Sequence, residues 1–272
     1  MDKKQSAKPF RRENSGRRVS VAPSLSQDSV VKAFLWHKAS YYSPVAYRMD
    51  RNFEYILSKD GYDFDLRGFL HDLIRSRGQA DILNSGAGFF ELDADIKKTF
   101  GNKAFLTSVN VVNGKLPESD VALTKLMEKS YRWTMTNHPP RISLAPDYAA
   151  HRNQLRQAEK NAKMPDEIKV TRIENFHPTR KYDVIIDLFG GLYYSINPRK
   201  VMELYGRALK PYGVCIVPNF GAHHSSIRRL NTADITSAVG LFAKSHGFYF
   251  EDKFLGRGAE ADLHGLTKKP LT

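Results

Sequence analysis

The sequence predicts an α/β fold built on a doubly wound, mostly parallel sheet of seven strands with helices on both faces. The first reason is that short apolar runs of strand length alternate with longer segments whose apolar residues recur at helical spacing. The second is that the runs at 182–187 and 214–217 are apolar through their centres, as in strands buried on both faces. The third is Gly86-Ala87-Gly88, a tight turn between a strand and a helix, which is typical of the ligand-binding edge of such a sheet.

Helices are predicted before this turn. Three segments with one apolar face lie at 28–35, 45–57 and 64–77. Gly78 ends the last of them, and a short buried strand follows at 80–83. After the glycine turn, Leu92, Ile96 and Phe100 fall on one face of a helix. The turn is therefore predicted to join a strand to a packed helix.

The rest of the chain continues the alternation. Further strands are predicted at 104–112, 168–173, 182–187, 214–217, 248–250 and 263–267. One helix is predicted to begin at Pro198, after Asn197, and another is capped by Thr232. This order of elements predicts parallel strands connected by crossover helices.

The segment 113–167 is longer than a usual crossover, and we interpret it as a helical insertion. It contains an amphipathic stretch around 121–127 and a polar helix at 148–163. Its basic side chains are candidates to bind an anionic substrate, although a solvated charged helix is the other interpretation. They are Arg132, Arg141, Arg152, Arg156 and Lys160.

The chain is strongly basic, with 42 Lys and Arg against 29 Asp and Glu, a net charge of +13 and a pI near 9.7. Residues 1–27 form a Lys-, Arg- and Ser-containing tail with almost no large apolar residues, a composition typical of disorder. The sequence thus predicts a tail at 1–27 and one domain at 28–272. The charge favours an acidic partner, either RNA, an acidic protein or an anionic membrane surface. A basic protein without such a partner is the alternative.

Cysteine content and hydropathy bear on the compartment. The single cysteine, Cys215, cannot form an internal disulfide, and its apolar neighbours predict a buried thiol. No apolar run approaches the length of about 18 residues that spans a membrane, and no apolar segment follows the basic amino terminus as in a signal peptide. A cytoplasmic location is expected. No Cys or His spacing predicts a metal site.

Three segments, in order, resemble the class I S-adenosylmethionine-dependent methyltransferases, which have a Rossmann-like fold. Residues 80–88, ADILNSGAG, are similar to the family's first motif. Residues 181–187, KYDVIID, resemble its fourth strand, and 208–214, ALKPYGV, resemble the turn before its fifth strand. The resemblance covers roughly residue 64 to the end, including a last strand at 263–270. It implies S-adenosylmethionine as the cofactor.

The resemblance also implies which residues form the cofactor site. Gly86 and Gly88 would let the backbone approach the methionine end of the cofactor. Glu174 or Asn175 matches the place where the family reads the adenine. Asn84 and Asn110 stand where the family has acidic residues, and Asn110 corresponds to the acceptor of the ribose hydroxyls. Phe90 stands where a third glycine is usual.

The methyl acceptor is expected at the end of the fourth strand, where Asp187 lies. Asp187 is also a candidate cofactor-binding residue, and with Tyr193 it is a candidate acid, base or orienting group. Tyr194, His223 and His224 are weaker candidates. The residues 187–191 lack the Asn/Asp-Pro-Pro-Tyr/Phe signature of methyltransferases that act on amino groups of bases or on glutamine.

Three functions are left open. The first is a methyltransferase that acts on a macromolecule, either RNA or protein, which the basic charge favours. The second is a methyltransferase-fold protein that has lost catalysis and acts as a binding or regulatory module, as Asn84, Phe90 and Asn110 suggest. The third is a methyltransferase for a small molecule.

Overall fold

The computed structural model of the protein describes residues 52–58, 61–88, 90–110, 116–137, 148–188, 191–195, 197–219, 232–258 and 262–271. The predicted tail at 1–27, the predicted helix at 28–35, and His223 and His224 lie outside these residues. Within them, no helix combines the length and the apolar character needed to cross a membrane.

In the described part of the chain the helices are α1 (Phe53–Leu57), α2 (Leu66–Arg77), α3 (Glu91–Phe100), α4 (Asp120–Asn137), α5 (Tyr148–Asn161), α6 (Gly191–Tyr194), α7 (Pro198–Ala208) and α8 (Thr232–Ser245). The strands are β1 (Ala80–Ser85), β2 (Ala104–Asn110), β3 (Glu167–Val170), β4 (Tyr182–Ile186), β5 (Leu209–Asn219), β6 (Phe248–Arg257) and β7 (Asp262–Pro270). Two 3-10 turns lie at Gly101–Lys103 and Ile173–Asn175.

The seven strands form one sheet in the order β3-β2-β1-β4-β5-β7-β6. The first five strands of that order are parallel, whereas β7 pairs antiparallel with both β5 and β6. In the register of β1 and β2, Asn84 lies beside Ser108. The carboxyl ends of β1, β2 and β4 therefore meet at one edge of the sheet, where ligands bind in open parallel sheets.

Apolar side chains of the central strands point to both faces of the sheet. Ile82 and Val184 belong to the core beneath α1, α2 and α3, whereas Leu83 and Ile185 belong to the core beneath α7 and α8. Cys215 of β5 lies in the second core, and burial raises the pKa of its thiol well above the usual value. The prediction of a buried thiol is thus confirmed.

Charged side chains join the strands at the opposite, amino-terminal edge. Lys210 Nζ donates to Asp81 Oδ2 at 2.8 Å and to Asp183 Oδ2 at 2.7 Å. Arg77 also donates to Asp183, and Arg180 donates to Asp81 at 3.0 Å. Against the effect of burial, the hydrogen bonds from Lys210, from the amide of Asp81 and from Arg77 lower the pKa of Asp183. This network joins the starts of β1, β4 and β5.

The predicted fold class is confirmed, and the differences are local. The third strand is shorter than predicted and is followed by the turn at Ile173–Asn175, whereas β6 and β7 are longer than predicted. Helix α6 is not predicted from the sequence, because four residues are too few for a periodic pattern. The insertion between β2 and β3 contains α4 and α5, and α5 packs against α3 and α4.

Candidate functional site

The turn between β1 and α3 is held on the end of β2 by backbone hydrogen bonds. The amides of Gly86 and Ala87 both donate to the carbonyl of Val109, at 2.9 and 3.2 Å. Gly86 and Gly88 have φ of 82° and 58°, a region that side chains disfavour. A Cβ placed on Gly88 would meet no atom within 4 Å, so this glycine faces open space. The turn thus presents bare backbone at the carboxyl edge of the sheet.

Phe90 takes the left-handed conformation, with φ 62° and ψ 23°, immediately before α3. A non-glycine residue there costs roughly 1–2 kcal/mol. Its side chain is 1% exposed, and burial of a phenylalanine side chain contributes about 1.5–3 kcal/mol. The chain therefore keeps a glycine-like backbone at this position and uses the ring for packing.

Asn84 contacts a buried carboxyl of α3. Asn84 Nδ2 donates to Asp93 Oδ2 at 2.9 Å, and the hydroxyl of Ser108 donates to Asp93 Oδ1. Asp93 is fully buried, and burial raises its pKa to about 7, although the hydrogen bonds from Ser108 and Asn84 act in the other direction. Sequence reasoning missed Asp93. The available signal was its position three residues before Ile96, on the apolar face of the helix.

Asn110, at the end of β2, also contacts the turn. Its side-chain Nδ2 donates to the carbonyl of Gly88 at 2.7 Å, and the residue is 6% exposed. The predicted site residues Asn84, Gly86, Gly88 and Asn110 are therefore brought together in one corner of the sheet. In the structure, the side chain of Asn110 donates a hydrogen bond to the glycine turn.

Asp187 follows β4 and is 1% exposed. Its Oδ2 accepts hydrogen bonds from the amide of Leu192 at 2.7 Å and from the hydroxyl of Tyr205 at 2.5 Å. That hydroxyl also lies 2.6 Å from Ser85 Oγ. Burial and then the charge of Asp187 raise the pKa of Tyr205 well above its usual value, so Tyr205 keeps its proton. Asp187 thus links the start of α6 to β4, β1 and α7.

Helix α6 fits closely over the sheet edge. A Cβ on Gly191 would lie 2.5 Å from Ser85 Oγ and 2.6 Å from Cγ2 of Ile173, so only glycine fits there. The backbone of Tyr193 and Tyr194 belongs to this helix, while their side chains lie outside the described structure.

The predicted adenine-reading residues lie on the turn at Ile173–Asn175. Glu174 Oε1 accepts a hydrogen bond from the hydroxyl of Ser195 at 2.7 Å. This bond joins the turn to the residue after α6. Asn175 is exposed. The residues that follow β3 and β4 therefore form one connected rim beside the glycine turn.

The arginines of the insertion that the structure describes are engaged in ion pairs. Arg156 binds Asp120 at 3.1 Å and Glu159 at 3.0 Å, and Arg152 lies 3.5 Å from Asp120. These contacts join α5 to the start of α4. The side chain of Arg132 and all of Arg141 lie outside the described residues. Over the described ranges, no group of three His, Cys, Asp or Glu residues could hold a metal ion.

The strand order places the protein in the class I S-adenosylmethionine-dependent methyltransferase fold, as predicted from the sequence. No protein-family model and no curated protein sequence matches the chain.

Solved structures of methyltransferases are similar to it. The N-methyltransferase NodS from Bradyrhizobium japonicum, in complex with S-adenosyl-L-homocysteine, is 14% identical over 88% of this chain and 98% of that chain, with a TM-score of 0.42. The 1,6-didemethyltoxoflavin-N1-methyltransferase from Burkholderia thailandensis is 13% identical over 92% and 93%, with a TM-score of 0.43. The methyltransferase CcbJ from Streptomyces caelestis is 10% identical over 81% and 95%, with a TM-score of 0.45. These likenesses are loose, and the fold is defined by the order and direction of the strands.

Proposed function

We propose that the protein is an S-adenosylmethionine-dependent methyltransferase that acts on a macromolecule, either RNA or a protein. The observation that carries the proposal is the turn with Gly86 and Gly88, which opens at the carboxyl edge of the sheet and is held there by Val109 and Asn110. This edge is the ligand-binding edge of doubly wound sheets.

The described residues fit such a cofactor. Gly88 would lie against its methionine end, because a Cβ at this position meets open space. Glu174 and Asn175 would lie near its adenine, on the rim beside β3. When bound, S-adenosylmethionine supplies a methyl group on a sulfonium sulfur. The protein's part is to align an acceptor with that methyl group and to provide a way for the acceptor to lose a proton.

Asp187 positions helix α6, which lies next to the expected place of the acceptor. Because it holds the amide of Leu192, it orients α6, which carries Tyr193 and Tyr194 past the end of β4. We therefore assign Asp187 to positioning the segment next to the acceptor, and Tyr193 is the candidate for contact with the acceptor itself.

A macromolecular acceptor is supported by the net charge of +13 and by the basic residues at 1–25. Seven Lys and Arg against two Asp and Glu make this segment attractive to a polyanion. Arg152 and Arg156 are already neutralised by acidic partners within the insertion, so they add less to this attraction than their number suggests.

A catalytically inactive binding protein is the second candidate. It is favoured by the burial of Asp187, whose carboxylate is 1% exposed and hydrogen-bonded to Tyr205 and to the α6 backbone. A fold that keeps the cofactor turn but uses this carboxylate for packing could bind the cofactor without transferring its methyl group.

Thermal unfolding with and without S-adenosylmethionine tests cofactor binding. A ligand that binds only the native state at 100 times its dissociation constant stabilises it by about 2.7 kcal/mol, so a raised midpoint is expected. Transfer of a labelled methyl group to total RNA or to protein then tests catalysis, and digestion of the product by nuclease or protease identifies the acceptor. Stabilisation without transfer would favour the second candidate, and so would the absence of stabilisation at millimolar ligand, which would contradict the proposed methyltransferase.

A further inference from the structure

Asp93 connects both ends of the segment that contains the glycine turn. Its two carboxyl oxygens accept from Asn84 on β1 and from Ser108 on β2, and these two residues are register partners in the sheet. Asp93 itself belongs to the first turn of α3. The bond from Asn84 to Asp93 therefore closes the loop that includes Gly86 and Gly88, and the bond from Ser108 fixes this loop to β2.

The carboxyl of Asp93 is also expected to ionise near neutral pH. Burial raises its pKa to about 7, and the opposing causes are hydrogen bonds from Ser108, Asn84 and its own backbone. The charged residues on α3, on the 3-10 turn after it and on α5, which packs against it, are Glu91, Asp95, Lys97, Lys98, Lys103, Arg152, Arg156, Glu159 and Lys160. Several of them have other partners: Lys97 binds Asp166, and Asp95 accepts the amide of Phe53.

Resting on the proposed function, we infer that Asp93 is a positioning residue of the cofactor site that couples the binding of a cationic cofactor to the release of a proton. The carboxyl can hold the turn in either charge state, because the carboxylate accepts from Asn84 and Ser108, and the neutral acid can accept from Asn84 and donate to the hydroxyl oxygen of Ser108. The ionised carboxylate adds a negative charge behind the same turn, where it attracts the ammonium and sulfonium groups of S-adenosylmethionine. Binding therefore shifts Asp93 toward its ionised form, and the proton passes to the solvent buffer.

This coupling distinguishes two ligands of the same shape. S-adenosylhomocysteine has the ammonium group but a neutral sulfur. Ionisation of Asp93 is therefore expected to strengthen the binding of S-adenosylmethionine more than that of S-adenosylhomocysteine.

The test is calorimetric titration of the full chain with S-adenosylmethionine at pH 6, 7 and 8, for the wild type and for Asp93→Asn. At each pH, the dissociation constant of Asp93→Asn is divided by that of the wild type. This ratio removes the effect of the ligand's own titration, which is the same for both proteins. We expect the advantage of the wild type to grow by roughly fivefold from pH 6 to pH 8, which corresponds to a lowering of the Asp93 pKa by about one on binding. Asp95→Asn removes a carboxylate from the same helix outside the turn. Its dissociation constant for S-adenosylmethionine should equal that of the wild type at every pH.

A second measurement does not depend on a folded variant. Titrations of the wild type at pH 7 in two buffers with different ionisation heats report proton release, and the same titrations with S-adenosylhomocysteine subtract the shared amino group. A larger release with S-adenosylmethionine supports the inference. Equal release for both ligands, or equal pH dependence in the wild type and Asp93→Asn, overturns it and leaves the proposed function intact. Failure of the wild type to bind either ligand overturns the proposed function and this inference with it.

Discussion

The hydroxyl of Tyr205 lies 2.5 Å from Oδ2 of Asp187, so that a side chain of α7 supplies a hydrogen bond to the carboxylate at the end of β4. The amide of Leu192 supplies another to the same oxygen. Because Asp187 is 1% exposed, each donor replaces water that the buried carboxylate has lost. The order of the segment around α6 therefore depends on a residue of α7.

Replacement of Tyr205 by phenylalanine tests this dependence. Tyr205→Phe removes a donor from a buried carboxylate and is expected to lower the free energy of unfolding by about 1–3 kcal/mol, as measured by urea denaturation. Tyr212→Phe, at a side chain that is 57% exposed, is the matched control and should change it by less than about 0.5 kcal/mol. Equal stabilities of the two variants would contradict the proposed role.

Gly88→Val tests the location of the cofactor site. Valine is strained at φ 58°, by roughly 1–2 kcal/mol, and would fill the open space in front of the turn. The variant should fold and lose binding of S-adenosylmethionine in calorimetry. Gly78→Val is the control, because Gly78 also has positive φ and open space but lies at the end of α2. If both variants bind the cofactor as the wild type does, the site lies elsewhere.

Asn110→Asp distinguishes two roles for this side chain. As an acceptor of ribose hydroxyls, a carboxylate would bind the cofactor more tightly than an amide does. In the structure, however, Asn110 donates to the carbonyl of Gly88, and a carboxylate there would lose the donor and repel that carbonyl. We therefore expect cofactor affinity to fall by about tenfold, or roughly 1.4 kcal/mol. Tighter binding would favour the ribose role.

The pH dependence of stability provides a test of Asp93 without a ligand. Its pKa of about 7 in the native state exceeds the ordinary value of 3.8, so the native state binds the proton more strongly than the unfolded state does. The contribution of Asp93 to the free energy of unfolding is thus fully present below about pH 4 and is lost as the pH rises toward 7, by up to about 4 kcal/mol. Asp93→Asn should remove this fall, whereas Asp72→Asn, at an exposed carboxylate of α2, should keep it.

Removal of residues 1–25 tests the acidic partner. If their seven basic residues bind phosphates of single-stranded RNA, the slope of log K against log salt should become shallower by up to about 5 after truncation. Arg156→Gln should leave the slope nearly unchanged, because Arg156 is paired with Asp120 and Glu159. Parallel slopes for the full chain and the truncated chain would exclude the tail from the interface.

The sheet was predictable because its central strands are apolar on both faces and its helices carry regular apolar stripes. The glycine turn was predictable because positive φ selects glycine at 86 and 88. The hydrogen-bond partners of the site residues were not predictable from the sequence. Asp93 lies between Leu92 and Ala94 in the sequence, and only the fold shows that Asn84 and Ser108, far apart in the chain, both bind it.

Partners that are distant in the chain also decide the roles of Asp187 and of the charged residues in the insertion, and these partners could not be predicted from the sequence. The end of the fourth strand was predictable, but the inward direction of Asp187 depends on Tyr205 in a later helix. The charges of α5 were compatible with an anion-binding surface or with a solvated charged helix, and the pairing of Arg152 and Arg156 with Asp120 was not predictable because Asp120 belongs to another helix.

The network at the amino-terminal edge has a consequence for synthesis on the ribosome. Asp81 is the second residue of β1, in the middle of the sheet, but one of its partners, Lys210, lies 129 residues later in the chain. At a translation rate of about 5–20 residues per second, Asp81 waits roughly 6–26 s for that cation. Until Tyr182–Ile186 has been made, β1 lacks its neighbour β4 and presents an unpaired edge. The nascent chain therefore depends on late residues to complete the pairing of its central strand.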